Sequence, residues 1–568
     1  MRKASEGTIL AGGLAIVALA LAPAGCGPGY CTRDADRETY AIVAAKQEAA
    51  LGQALPFSVE PDRQVQDALG EAGARPPESG AEGVNPPDAP GEALPPEEAG
   101  PFRLSMADAL RLAVRANRDY QGQKEEVYLA ALALTFERYL FRPHPFASGT
   151  VDLTDDTRAR ERTFDGTADI GFSQQLADGA VIAASLGLTA LKFINQQLGD
   201  TVDTALSFSL QQPLWRGAGR MVVQENLVQA ERNALYQVRT FARFEQTFAV
   251  SVAADYLRVL EQRQIVLNEW QNYQSLKDTR ERAEWLAKAE RLPQFQVDQA
   301  RQDELRAYDR WISVRQAYLN ALDELKIVLG IPIETPVALE PKELERLAAA
   351  GLVHPDLKVE AAVAKAMEAR LDLANARGGY EDAGRKVLVA EDGLKGDVDL
   401  VASIGYTSDP DRPQSARLEF HRGVYSIGLD IDLPVDRLEE RNALRQTQIE
   451  RERAARDLSL LRDQVVLAVR EAYRGLEQAR QSYEIQQRSV ALAQRRVEST
   501  QLLLQAGRAS QRDVLESQSA LVQAQNSLTR ALVDHTVAGL QFQRDVGTLR
   551  VDREGQIHGW SLTSDERL

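Results

Sequence analysis

Two acids, Asp513 and Glu516, stand three residues apart where the stretch LLLQAGRASQRDVLESQ (502–518) leaves a Gly-Arg turn and starts a new apolar heptad run. Carboxylates in that position can favour cations, or they can simply stabilise a helix start, whose N-terminus carries partial positive charge. An earlier stretch, WLAKAERLPQFQVDQAR from Trp285 to Arg301, has the same outline. Other candidates for chemistry are poor. The five histidines, His144, His354, His421, His535 and His558, are scattered, with no His-Glu-x-x-His spacing to gather a metal. Gly217-Ala218-Gly219-Arg220 lacks the Gly-Lys-Ser/Thr of a phosphate loop and follows a strand where a glycine turn is expected. No enzyme and no cofactor is expected.

Composition narrows the class. The chain has 568 residues, 44% apolar and 26% charged, with a net charge of −16. That balance argues against a nucleic-acid footprint, which needs clustered Lys and Arg. Its two cysteines, Cys26 and Cys31, lie near the start, so no disulfide framework holds the body together. Arg2 and Lys3 precede an apolar run from Ile9 to Ala22, followed by small residues, which reads as an export signal over residues 1–25. The run is short for a spanning helix. LAPAGC resembles a bacterial lipoprotein box with Cys26 as the lipid attachment residue, although Pro23 replaces the usual aliphatic residue. Ordinary cleavage with a Cys26–Cys31 disulfide, or an uncleaved anchor, remains an alternative. Within the N-terminal segment 26–101, the Pro, Gly and Glu-rich portion from about Glu60 reads as an acidic linker.

The body is a duplication. A shift of 217 positions aligns Tyr256 with Tyr473, Ala289 with Ala506, Arg291 with Arg508, Val297 with Val514 and Gly330 with Gly547 without gaps. The two units occupy 102–340 and 341–550, with a tail over 551–568. Each reads as a helix of about 38 residues, strands, a helix of about 70, a turn and a helix of about 36. At 1.5 Å per residue the long helix would span roughly 105 Å. A seam from Leu458 through Val465, Leu476, Val490 and Val497 to Leu504 advances by coiled-coil steps, and its alanines permit close helix approach.

The strand pattern has two faces. In TALSFSLQQPL, Leu206, Phe208 and Leu210 alternate with Ser207, Ser209 and Gln211, and VYSIGLDIDLP alternates in the same way. FASGTVDLT and DVDLVASIGYT read as their partners, and a further hairpin around Asp178 and Gly179 has no assigned place. About ten residues with acids opposite aliphatics suit a barrel wall between lipid and water, as well as a sandwich strand. Four strands cannot close a barrel, so a membrane wall would need several copies.

RLSMADALRLAVRANRDY, the strand ends QQPLWRG and DLPVDR, and LLLQAGRASQRDVLESQSALVQAQNSLTRALVDH together resemble the TolC-like outer-membrane efflux family over residues 102–550. The resemblance implies a mainly α fold with a β-barrel portion: a homotrimer whose chains give four strands each to a 12-stranded barrel in outer-membrane lipid, continued by a periplasmic helical tunnel. It implies an exit duct for small molecules or proteins, gated at the periplasmic end by lumen-facing Asp513 and Glu516. It further implies that the tips around Arg291, Leu292 and Pro293 and around Gly507, Arg508 and Ala509 dock a periplasmic adaptor (membrane fusion protein) of an inner-membrane pump. Where the best-known member latches its tip with tyrosine and arginine, this chain has Leu504 and Ala509. A non-conducting periplasmic coiled-coil strut is the rival reading.

Overall fold

A computed structural model describes residues 27–60, 102–156, 161–193, 201–352, 357–409, 416–433 and 435–558. The export signal, Cys26 and the acidic linker fall outside those residues. The described chain is mainly helical and forms two compact units, each drawing residues from both sequence repeats.

The described residues of the first unit lie within 27–57, 127–238 and 375–458. It contains a helix that periodicity did not single out, α1 (Pro28–Leu51), with Pro at its first turn and Gly52 closing it in the left-handed conformation. In α1, Ile42 and Val43 are buried, Tyr40 meets Tyr128 edge-on at 5.9 Å, and Asp36 accepts a 2.8 Å hydrogen bond from the Tyr128 hydroxyl.

The unit's main element is one antiparallel sheet in the order β2 (His144–Asp156), β3 (Glu161–Gln175), β4 (Val181–Phe193), β5 (Thr201–Pro213), β7 (Asp397–Thr407) and β8 (Val424–Asp432). The four strands read from sequence are β2, β5, β7 and β8, as expected. The unplaced hairpin turns at Leu176–Ala180, with Gly179 at φ 101°, and inserts β3 and β4 between β2 and β5. The four strands expected for the wall are therefore corrected to six among the described residues, and a 12-stranded barrel from three copies does not follow from this sheet. Physically, β3 and β4 each bond along their whole length to both neighbours, so β2 and β5 are not paired to each other.

The described residues of the second unit lie within 58–60, 102–126, 239–374 and 459–558. Here β1 (Phe102–Leu104) pairs in parallel with β6 (Val337–Leu339), and the short hairpin β9 (Arg550–Val551) and β10 (Ile557–His558) gives structure to the start of the expected tail. The expected 38-residue helix is instead α2 (Met106–Ala116) and α3 (Arg118–Tyr139), broken at Asn117. Asn117 is extended, its side-chain oxygen accepts from the Tyr120 N–H at 2.9 Å, and its amide donates to Val328 O at 2.8 Å. Its counterpart breaks at Arg370, between α8 (Val359–Ala369) and α9 (Leu371–Gly393).

The remaining helices follow the duplication closely. The long helices α5 (Glu225–Lys288) and α10 (Leu438–Gln505) hold 64 and 68 residues, and the returning helices α6 (Gln294–Leu329) and α11 (Gln511–Val546) hold 36 each. The short helices α4 (Arg220–Val223) and α7 (Lys342–Ala350) complete the set among the described residues. Along the predicted α10 seam, Leu458, Val465 and Leu476 are buried, whereas Leu460, Leu467 and Leu492 off the seam are exposed.

Candidate functional site

The sheet of the first unit carries one mainly apolar and one mainly polar face across its six strands. Register places Val151 and Leu153 of β2, Ile170 and Phe172 of β3, Leu186 and Leu188 of β4, Leu206 and Phe208 of β5, Ile404 of β7, and Ile427 and Leu429 of β8 on the same side. Many are exposed, with Ile427 at 78% and Leu153 at 66%, so no described residue covers them. Its charged exceptions, Asp155, Arg162 and Lys192, gather toward the end of the sheet away from the helices, where Arg162 meets Asp155 at 2.5 Å.

The opposite face is mainly polar, with Phe146, Val181, Leu191 and Val401 as apolar exceptions. Hydroxyl pairs cross between neighbouring strands at Thr150–Thr167 (2.6 Å), Ser185–Ser207 (2.7 Å) and Ser403–Ser426 (2.6 Å). Aspartates 152, 165, 169 and 203 share this face, as do the directly opposed pairs Asp397–Asp432 and Asp399–Asp430. Among the described strand residues on this side there is no Lys or Arg. Gln211 donates to Asp399 at 2.7 Å, while Arg216 lies 3.5 Å from Asp397 just beyond the strand. The result is a surface suited to water and cations behind one suited to hydrocarbon.

The glycine cluster between β5 and α4 is a turn. Gly217 N–H donates to the Asp392 carboxylate at 2.8 Å and Gly219 N–H to Asp178 O at 3.1 Å, so these donors point at protein groups. Nearby, Arg232 and Arg385 meet Glu225, Glu381 and Asp382 in a network joining α5 to α9, with Asp382 and Glu225 buried. Among the described residues no group of three or more His, Cys, Asp or Glu could hold a metal ion.

The second unit contains both helix–turn tips, and they share a backbone design. At the first, Glu290 has φ 56° and Arg291 N–H returns to Leu286 O; at the second, Gly507 has φ 68° and Arg508 N–H returns to Leu503 O. Leu292 packs with Ala283, Val297 and Ala300, Pro293 starts α6 without a side-chain cap, and Ala509 is half-buried. Sequence reasoning missed the exposed apolar residues just before each turn: Trp285 and Leu286 at the first, and Leu502 and Leu503 at the matching positions of the second. Phe295 adds to the first tip with 66% exposure. The shift of 217 could have found these pairs.

Asp513 and Glu516 share the exposed side of α11, while Val514 and Leu515 are buried, Leu515 against Leu276 and Ala307. Asp513 closes a capping box: its carboxylate accepts from Ser510 N–H at 2.8 Å and from the Ser510 hydroxyl at 2.7 Å. These bonds hold its carboxyl below the usual carboxylate range. Glu516 pairs with Arg496 of α10 at 3.2 Å, and beneath them Thr500 and Ser517 join the two arms at 2.9 Å.

Residues 362–544 match the family model described as outer membrane efflux protein. This stretch is similar to that family over about a third of the chain. Among curated proteins, none matches the chain. Among solved structures it is similar to the CmeC outer membrane channel of Campylobacter jejuni, with 13% identity and a TM-score of 0.57 over 80% of this chain and 87% of that one. It is also similar to the outer membrane protein VceC of Vibrio cholerae, with 13% identity and a TM-score of 0.56 over 78% of this chain and 96% of that one. At those identities the likeness shows the fold. No helix among the described residues is long and apolar enough to cross a membrane.

Proposed function

We propose that the chain is the outer-membrane exit duct of a multipartite efflux or secretion system, three copies forming the membrane wall and a gated periplasmic tunnel. The sheet carries this reading. Among the described residues its apolar face lacks a protein cover, its other face is acidic, and its edge strands β2 and β8 have no partner strand. A sheet of that kind is completed in a bilayer by copies that close its edges and by lipid on its apolar face. Strand lengths from 9 to 15 residues suit that span.

The tips supply the rest of the reading. Trp285, Leu286, Leu502 and Leu503 form apolar ends on which a periplasmic adaptor docks, around the turns at Arg291–Pro293 and Gly507–Ala509. Asp513 and Glu516 face the lumen as threefold acidic rings that favour cations, and release of the Glu516–Arg496 pair accompanies opening. The capping box supports a second reading for Asp513 alone, as a stabiliser of the α11 start.

Planar-bilayer conductance of the full chain beside the Asp513→Ala/Glu516→Ala variant tests both. Small cation-selective currents that grow in the variant support the gate. Equal currents reduce both acids to structural roles. No conductance from a detergent-extracted, folded oligomer removes the duct and leaves a coiled-coil lipoprotein strut held at Cys26.

A further inference from the structure

The two halves keep different offsets on either side of their strands. Met106 corresponds to Val359 and His144 to Asp397, each 253 positions on, whereas Gln294 corresponds to Gln511 and Leu329 to Val546, each 217 positions on. The first half is therefore longer by 36 residues between the start of its first strand and its returning helix. That surplus accounts for β3 and β4: β2 and β5 answer to β7 and β8, and the hairpin is an insertion.

The insertion belongs to the wall. Its backbone pairs with β2 on one side and β5 on the other over nearly its full length. Its apolar residues Ile170 and Leu186 are directly paired on the same face as Leu206 and Ile427, and its polar residues Asp169 and Ser185 continue the wet face. Its turn is seated: a Cβ on Gly179 would lie 2.8 Å from Pro213 and 2.9 Å from Gly217 O, and Ala180 is buried.

We infer that three copies close an 18-stranded barrel in which β8 of each chain pairs with β2 of the next, giving a mouth wider than four strands per chain would allow. The inference rests on the proposed duct and adds its strand number. Direction permits the closure: β2 leads away from the helices and β8 returns to them, so the junction between copies is antiparallel like every pair within the sheet. Barrel diameter grows roughly linearly with strand number, so the mouth is about 1.5-fold wider than a 12-stranded one, in the range where barrels hold an aqueous channel. Larger hydrophilic cargo can leave through it.

The full chain in phospholipid vesicles provides the test. Nitroxides at Ile170→Cys and Leu186→Cys, each compared with the parent chain treated alike, are expected to meet lipid-dissolved oxygen in preference to a water-soluble nickel complex. Labels at Asp169→Cys and Ser185→Cys are expected to show the reverse. Cross-linked mass is expected to give three copies. Polyethylene glycols added from the outer side are expected to enter the full-length mouth at sizes excluded by a chain lacking residues 158–193. Hairpin labels in water on both faces, or a two-copy assembly, would overturn the strand number while leaving conduction intact. A protein that needs no detergent and conducts nothing would overturn the duct itself, and this inference with it.

Discussion

The two tips have the same backbone and different side chains. Both reverse through a left-handed residue 217 positions apart, yet that residue is Glu290 in one and Gly507 in the other. The first returns into α6 through Pro293 with no side-chain cap, the second into α11 through the Ser510–Asp513 box. The positions matching Asp513 and Glu516 in the first half are Gln296 and Gln299. A repeat of this geometry therefore does not demand acids, because the first tip forms without them. That asymmetry favours a use for the second pair beyond turning the chain.

The strongest way to break the comparison between halves lies at the far ends of the returning helices. Gly330 and Gly547 are equivalent left-handed caps, at φ 74° and 78°. A Cβ on Gly330 would stand 2.2 Å from Ala116 O, whereas on Gly547 its nearest contact is 3.3 Å away at Ala369. Both Gly→Ala changes incur the left-handed penalty, about 1 kcal/mol. Gly330→Ala adds a backbone clash and is expected to cost at least about 3 kcal/mol. Hydrogen exchange at the ends of α6 and α11 checks the ranking, and equal losses would refute it.

At the tips the effects are smaller and opposite in sign. Gly507→Ala is expected to destabilise the second turn by about 1 kcal/mol, while Glu290→Gly relieves the same strain at the first and stabilises it by a similar amount. Ser510→Ala removes the hydroxyl cap of α11 and is expected to cost about 1 kcal/mol locally, where no single change at Pro293 has a cap to remove. Amide exchange in the first turns of α6 and α11 separates these outcomes. If Glu290→Gly destabilises its tip, the left-handed glutamate is held by something other than turn geometry.

The duplication was legible from residue 256 onward because the offset there stays at 217 and the helix ends coincide. The four two-faced strands were legible for the same reason that they form: Leu206, Phe208 and Leu210 alternate with hydroxyls and amides. The placement of the hairpin was not. VIAASLGLTALKF in β4 has aliphatics on both sides and an alanine content equally at home in a helix, and only its neighbours' hydrogen bonds make it a strand. The break at Asn117 was obscured because the apolar spacing runs through it; the side-chain hydrogen bonds that end α2 connect to Tyr120 and to distant Val328. The Ser510-x-x-Asp513 pattern, by contrast, was a readable capping signature beside the acids that drew attention.

A last expected effect is one of pH, and it again separates the halves. Glu245 accepts a 2.7 Å hydrogen bond from the hydroxyl of Tyr120, whose ring packs on Phe241, Phe244 and Phe248, while the equivalent position of the second half is exposed Arg462. Burial pushes the Glu245 carboxyl up to about 7, against the opposing pull of Tyr120 and Lys124. A raised carboxylate keeps its proton in the folded chain after the unfolded chain has released it, so stability falls as pH rises from the ordinary glutamate range toward 7 and levels off above. Glu245→Gln is expected to flatten that slope in denaturation curves taken between about pH 4.5 and 7. An Arg462→Gln variant is expected to leave it in place. A slope unchanged by Glu245→Gln would mean that Glu245 is already ionised, with water reaching it among the rings.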